Sequence, residues 1–279
     1  MRLGCCSWSL RPKNVDELIA GIQHVSGGMP GEFGVQLALD PLRRGEWNLE
    51  ETRSKLSAAG IPILSGMMEM IGEDYSSLDT IRETGGVRVD EHWLGNLEAA
   101  RGNAQLARAL GLDVVTFHAG FLPHEASDPE RGVMLDRLRQ IAALFAEQGV
   151  RVGFETGQES AETLLGVLAE FGGSDVGVNF DPANMILYGM GDPHAALRSL
   201  SPHVVQVHLK DAIATRVPGT WGEEVTVGMG EVDFSLLVDI LREHALEVDL
   251  VLEREAGEQR VEDLRAGLNH IRGCLGEAR

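Results

Sequence analysis

Eight short apolar runs punctuate the chain, at residues 3–8, 33–39, 61–67, 113–118, 150–155, 176–181, 204–209 and 249–253. Each is followed by a stretch in which apolar residues recur every three or four positions, as in Leu138, Ile141, Ala142 and Phe145, or Leu264, Leu268 and Ile271. A strand buried on both faces reads as a continuous apolar run, and an amphipathic helix as one apolar stripe, so the alternation predicts parallel βα units. Glycines at 60, 111 and 149 stand where a left-handed residue would end a helix before the next strand. Eight units in series predict a single (β/α)₈ TIM barrel spanning residues 1–279, with a doubly wound open sheet as the alternative fold. No linker-like or low-complexity tract divides the chain.

Composition narrows the function. With 43% hydrophobic and 24% charged residues the chain has ample material for a core, and the net charge of −19 opposes the phosphate backbone of nucleic acids. No run of about 18 apolar residues is present, which predicts neither membrane span nor secretion leader. Three cysteines, two of them adjacent at Cys5 and Cys6, fit buried thiols in a cytoplasmic protein. The oligomeric state is left open, and a homo-oligomer is compatible with the sequence.

The chemistry is expected at the carboxyl ends of the strands, which form the active face of such barrels. Glu155 closes VRVGFE, Asp181 closes VGVNFD, His208 lies near the end of VVQVHLKD, and Glu253 closes DLVLE. Strand side chains alternate, and bulky Phe154, Phe180, Val207, Leu209 and Leu252 take the outward positions, so all four polar residues can aim at one axis. Three carboxylates and one imidazole suit a single divalent ion, Mn²⁺, Mg²⁺, Co²⁺ or Zn²⁺. Each residue alone is equally well read as a satisfied strand end, but four on consecutive strands weaken that reading.

His118, after DVVTF, belongs on the same rim as a substrate or orienting contact. Lys210 shares parity with His208 and is either a source of positive charge or an ordinary exposed lysine. Asp211 reads as a turn residue. Trp8, Gln36, Met67, Phe121 and Trp221 fall at or beyond strand tips as candidates for a substrate pocket, although core packing is the stronger expectation for Met67 and Phe121. The glycine-rich GMGEVDF segment, residues 228–234, is either a phosphate cradle at a helix N-terminus or a plain turn with Asp233 as N-cap.

At these residues the chain resembles the xylose isomerase-like barrel superfamily, which includes sugar isomerases, ketose 3-epimerases, hydroxypyruvate isomerase, inosose dehydratases and the endonuclease IV branch. The pieces that carry the resemblance are HAG at His118, the glutamate of FETG, DPAN from Asp181, HLKD, the GMGEVDF loop and the glutamate of LERE, in order along nearly the whole chain. It implies that Glu155, Asp181, His208 and Glu253 hold one metal, with the two glutamates as acid/base groups flanking the substrate carbon. Many members carry histidine where this chain has Asn184, which changes a substrate or second-metal contact; the extra glutamate and arginine of ketose epimerases find only loose counterparts in Glu159 and Arg216. The nuclease branch needs further histidines that are missing here. The expected activity is therefore metal-dependent isomerisation or epimerisation of a small carbohydrate, with keto-sugar dehydration as the alternative and a non-catalytic sugar-binding barrel behind it. Substrate contacts are expected from His118, Asn184, Lys210, Trp8 and Gln36.

Overall fold

The computed structural model describes residues 1–28, 31–173 and 175–276. Its eight long-range strands are β1 (Leu3–Cys6), β2 (Phe33–Ala38), β3 (Ile63–Met67), β4 (Val114–Phe117), β5 (Arg151–Glu155), β6 (Val176–Phe180), β7 (Val204–Leu209) and β8 (Asp249–Leu252). They pair in parallel around a complete ring, and β8 bonds to both β7 and β1, so the sheet closes. The protein is a single (β/α)₈ TIM barrel, and the open-sheet alternative is excluded by that closure.

Helices cover the ring because their apolar stripes have nowhere else to go. Leu138, Ile141 and Phe145 of the helix Pro129–Ala146 are fully buried, as are Leu264, Leu268 and Ile271 of the helix Arg260–Leu275. Outward-facing Phe154 packs edge-on between Phe117 of β4 and Phe171 of the helix Ala161–Phe171, with centroids 5.5 and 5.6 Å away. No helix among the described residues is long and apolar enough to cross a membrane. The three cysteines are free thiols.

The interior departs from the expectation of apolar strands. Below the mouth, Gln36, Ser65, Thr116, Asn179 and Gln206 are all buried and satisfy one another: Gln36 Nε2 donates to Thr116 Oγ1 at 2.8 Å, and Gln206 Nε2 to Asn179 Oδ1 at 3.1 Å. A polar layer is tolerated there because nearly every buried donor and acceptor has a partner on a neighbouring strand. A second departure follows β7, where a two-stranded antiparallel hairpin, Asp211–Ile213 with Glu223–Val225, rises over the mouth.

Candidate active site

Glu155 ends β5, His208 lies near the end of β7, and Asp181 and Glu253 directly follow β6 and β8, so all four stand at the carboxyl mouth of the barrel. One ligand atom from each lies within 4.8 Å of the others. His208 Nδ1 is 3.4 Å from Glu155 Oε1, 3.3 Å from Glu253 Oε2 and 4.0 Å from Asp181 Oδ2. The outer atoms are anchored. Asp181 Oδ1 caps the helix Pro182–Tyr188 by accepting from Asn184 N at 2.9 Å, Glu253 Oε1 accepts from Trp8 Nε1 at 2.7 Å, and His208 Nε2 faces Gln36 Oε1 at 2.7 Å. Glu155 accepts from Asn184 Nδ2 on Oε1 and from Asn179 Nδ2 on Oε2, at 2.9 and 3.1 Å.

What remains is the test of fit for a cation. Asp181 Oδ2, His208 Nδ1 and Glu253 Oε2 are buried and have no hydrogen-bond partner, and all three point into the same space. Orphaned buried polar atoms are costly and rare, and three of them converging beside the Glu155 carboxylate describe the coordination shell of a divalent ion. With Nε2–H donated to Gln36, the Nδ1 lone pair is the free one. The electrostatics agree. Burial, together with the Glu253 and Glu155 charges, pushes the Asp181 carboxyl up to about 8 even against Lys210. Burial would raise Glu253 as well, but Lys210 and His208 hold it well below the usual carboxylate range. His208 is driven the other way: burial alone would lower it, yet Glu155, Cys6 and Glu253 raise it far above an ordinary imidazole, so a proton and a cation compete for Nδ1.

A cavity of about 680 Å³ opens at the mouth of the barrel, with walls that include Trp8, Met67, His118, Asn184, Lys210 and Trp221; of these, Trp8 and Lys210 reach Glu253, and His118 and Asn184 reach Glu155. His118 Nε2 lies 3.7 Å from Glu155 Oε1, and its Nδ1 is buried without a partner. Lys210 is not an exposed lysine: it is 3% exposed, with Nζ 3.2 Å from Glu253 Oε2 and bonded to Glu255. Asn184 reaches Glu155 because Gly157, at φ 136°, leaves room; a Cβ there would stand 2.4 Å from Asn184 Cβ. Gln36 corrects the expectation of a pocket contact, since it is fully buried beneath the mouth with its amide directed at His208, Thr116 and Gly66. Phe121 is buried against Tyr188 rather than lining the cavity. Of the loose candidates, Glu159 is buried away from the cavity wall and Arg216 is exposed on the hairpin loop.

Glu73, Tyr75, Tyr188, Glu224, Glu255 and Arg260 also line the cavity and were not singled out from the sequence. They come from loops, the C-terminus of one helix, the N-terminus of another and the hairpin, where no strand-tip position marks them. Asn179 had a legible signal, a lone amide inside the apolar run VGVNFD.

The GMGEVDF segment is no phosphate cradle. Its inward N–H groups are already taken: Asp211, fully buried, accepts from Gly228 N, Gly230 N and Val232 N at 2.9, 2.8 and 3.1 Å, and from its neighbour Ala212 N at 2.9 Å. Gly230 must be glycine, because a Cβ would lie 2.2 Å from Asp211 Oδ1. Asp233 then caps the helix Phe234–Glu243 through Leu236 N. Asp211 is thus more than a turn residue: it ties the loop to the base of the hairpin.

Comparison with known proteins follows the same lines. The crystal structure of a xylose isomerase domain protein from Planctomyces limnophilus superposes with a TM-score of 0.83 at 28% identity, covering 98% of this chain and 95% of that one. An L-ribulose 3-epimerase gives 0.74 at 15% identity over 99% and 94%. The probable 3-DHS dehydratase AsbF of Bacillus anthracis gives 0.72 at 18% over 96% and 98%. At these lower identities the likeness is one of fold. The uncharacterized protein YihM of Escherichia coli (strain K12) is 26% identical over 108 residues, 38% of this chain, and the match spans only about a third of that relative, 33% of its length. A family model, the xylose isomerase-like TIM barrel, matches residues 34–274, and the chain belongs to that family.

Proposed function

We propose that the protein is a sugar-modifying enzyme that uses one divalent ion, held by Glu155, Asp181, His208 and Glu253, to isomerise or epimerise a keto-sugar. The observation that carries this reading is the convergence on one point beside Glu155 of three buried ligand atoms that make no hydrogen bond, next to a cavity open to small molecules. Solved relatives of the same fold include an epimerase and a dehydratase, which supports carbohydrate chemistry.

A divalent ion at this point supplies Lewis acidity, withdrawing charge from a substrate carbonyl and acidifying the neighbouring C–H. The chain's own groups do the rest. Glu155 and Glu253 approach the reacting carbon from different strands, one taking its proton and the other returning one, so that an enediolate forms and collapses. The Trp8 indole fixes Glu253 through Oε1, and Lys210 keeps that carboxyl ionised and ready to accept. Asn184 and Asn179 orient Glu155 in the same way. His118, with its free Nδ1, is placed to hydrogen-bond a substrate hydroxyl. If a hydroxyl β to the carbonyl is aligned to leave, the same enolate loses it, and the activity becomes a dehydration.

Incubating the Mn²⁺-loaded enzyme with ketoses in D₂O should place deuterium on the carbon next to the carbonyl. Glu253→Gln should lower turnover by about 10²-fold or more, in the range of a lost acid/base group. Release of an unsaturated or deoxy-keto product selects the dehydratase, and full turnover in Glu253→Gln removes the acid/base role. Binding without exchange or product marks a sugar-binding barrel.

A further inference from the structure

His208 has two ring nitrogens and a different set of neighbours at each. Nδ1 faces Glu155, Asp181 and Glu253, whereas Nε2 faces the closed interior behind them. There Nε2 stands 2.7 Å from Gln36 Oε1 and 3.8 Å from Cys6 Sγ, and Sγ stands 3.5 Å from Gln36 Oε1. These three atoms form a triangle whose centre lies ~2 Å from each, and an ion slightly off that plane meets the usual Zn–N, Zn–O and Zn–S distances of about 2.0 to 2.3 Å. Glu253 supplies a fourth donor, since one ligand atom each of Cys6, His208 and Glu253 lies within 4.8 Å of the others.

This donor set differs in kind from the cluster at the mouth. A thiolate selects soft ions, whereas three carboxylates suit hard ones. Charge favours the burial as well. A divalent ion with the Cys6 thiolate and the Glu253 carboxylate is neutral in sum, which suits a place where Cys6, Gln36 and His208 are fully buried and Leu64 and Val251 pack with the thiol. Cys5, the next residue of β1, takes the opposite face and belongs to the other apolar cluster.

The imidazole can serve either side but not both. With the proton on Nε2, Gln36 Oε1 accepts it and the Nδ1 lone pair is left for the cluster. With the proton on Nδ1, the Glu253 and Glu155 carboxylates lie 3.3 and 3.4 Å away to receive it, and the Nε2 lone pair has Asn179 Nδ2 as a donor at 3.1 Å. A neutral imidazole offers one lone pair, so an ion bound at one nitrogen deprives the other site of its ligand.

We propose that Cys6, Gln36, His208 and Glu253 form a second cation site, for a thiophilic ion such as Zn²⁺ or Cd²⁺, whose occupation displaces the hard ion of the four-residue cluster. On binding, the ion takes the lone pairs of the Cys6 sulfur and His208 Nε2, the thiol proton leaves to solvent, and the imidazole proton resides on Nδ1. The site stands on its own donors, and only the displacement rests on the preceding reading.

The test uses the full chain, freed of metal by chelator and carrying Cys5→Ser and Cys274→Ser, so that Cys6 is its one thiol. Cd²⁺ titrated into this protein should raise the ultraviolet thiolate-to-cadmium charge-transfer band until one equivalent is bound. Cys6→Ser in the same background should lose the band while still binding Mn²⁺ in calorimetry, which shows that it folds. Mn²⁺ at a hundredfold excess over its own Kd should raise the apparent Kd for Cd²⁺ about a hundredfold. The proposal is overturned if Cd²⁺ does not bind, if it binds without the band, if the band survives Cys6→Ser, or if bound Mn²⁺ leaves Cd²⁺ affinity unchanged. The band of the single-thiol protein and the Mn²⁺ competition need no change at Cys6, so they decide the matter even where that variant unfolds. If Mn²⁺ fails to bind at all, the four-residue reading falls alone, and the band decides the thiol site.

Discussion

Removing the Asp211 carboxylate should loosen the barrel at the point where the hairpin is tied down. In Asp211→Ala, three remote amides, Gly228, Gly230 and Val232, lose an acceptor at 2.8–3.1 Å, and Ala212 loses its local one. Gly228 is exposed and Gly230 half-buried, so water can replace the acceptor there, and each net loss is about 1 kcal/mol. Val232 is buried, and its stranded N–H costs about 2 kcal/mol, toward the upper part of the range for an unsatisfied group. The sum over the three remote amides is about 4 kcal/mol, which for a chain of this size lowers Tm by at least roughly 8 °C at about 2 °C per kcal/mol. Asp211→Asn should rescue little, because one of its two positions now presents an N–H to amide donors. Scanning calorimetry reads the shift, and hydrogen exchange at residues 228–232 localises it. A Tm within 2 °C of wild type, with those amides still protected, would refute the assignment.

Three other outcomes are expected. Glu159 is buried and its carboxyl is pushed up to about 8 by that burial, so between its unfolded value near 4.5 and that pH the folded chain keeps a proton the unfolded chain has released. Stability is therefore lost as pH rises through this window, and Glu159→Gln should gain about 3 to 5 kcal/mol over wild type at pH 8.5 and almost nothing at pH 4 in urea titrations; a pH-independent gain would contradict it. Adding Mn²⁺ to chelator-treated protein at a thousandfold excess over Kd should stabilise it by about 4 kcal/mol, and Asp181→Asn, which keeps the helix cap but not the charge on Oδ2, should abolish most of that rise. Gln36→Met removes the acceptor that holds the His208 Nε2 proton and should weaken Co²⁺ affinity about 10- to 100-fold by calorimetry, a prediction that unchanged affinity defeats.

The barrel was legible in the chain because parallel strands buried on both faces are mostly apolar even where an inner polar layer interrupts them, and because side-chain alternation forces a polar strand-end residue to one face or the other. Those two constraints are local, so the eight runs, the buried stripes from Leu138 to Phe145 and from Leu264 to Ile271, and the inward aim of Glu155, Asp181, His208 and Glu253 could be read in sequence order. Other features depend on which loop meets which strand. Gln36 reads as a tip residue like Trp8, yet it lies within β2 and only closure of the ring brings His208, from a strand on the far side of β1, within 2.7 Å of its amide. Lys210 is an ion-paired group rather than a solvated one because the chain after β8 brings Glu255 beside it. The glycines of GMGEVDF suit an anion in either reading, and the tertiary structure decides that the anion is the protein's own Asp211. Local periodicity is written in neighbouring residues, whereas the partner of a buried charge is chosen by contacts between residues far apart in the chain.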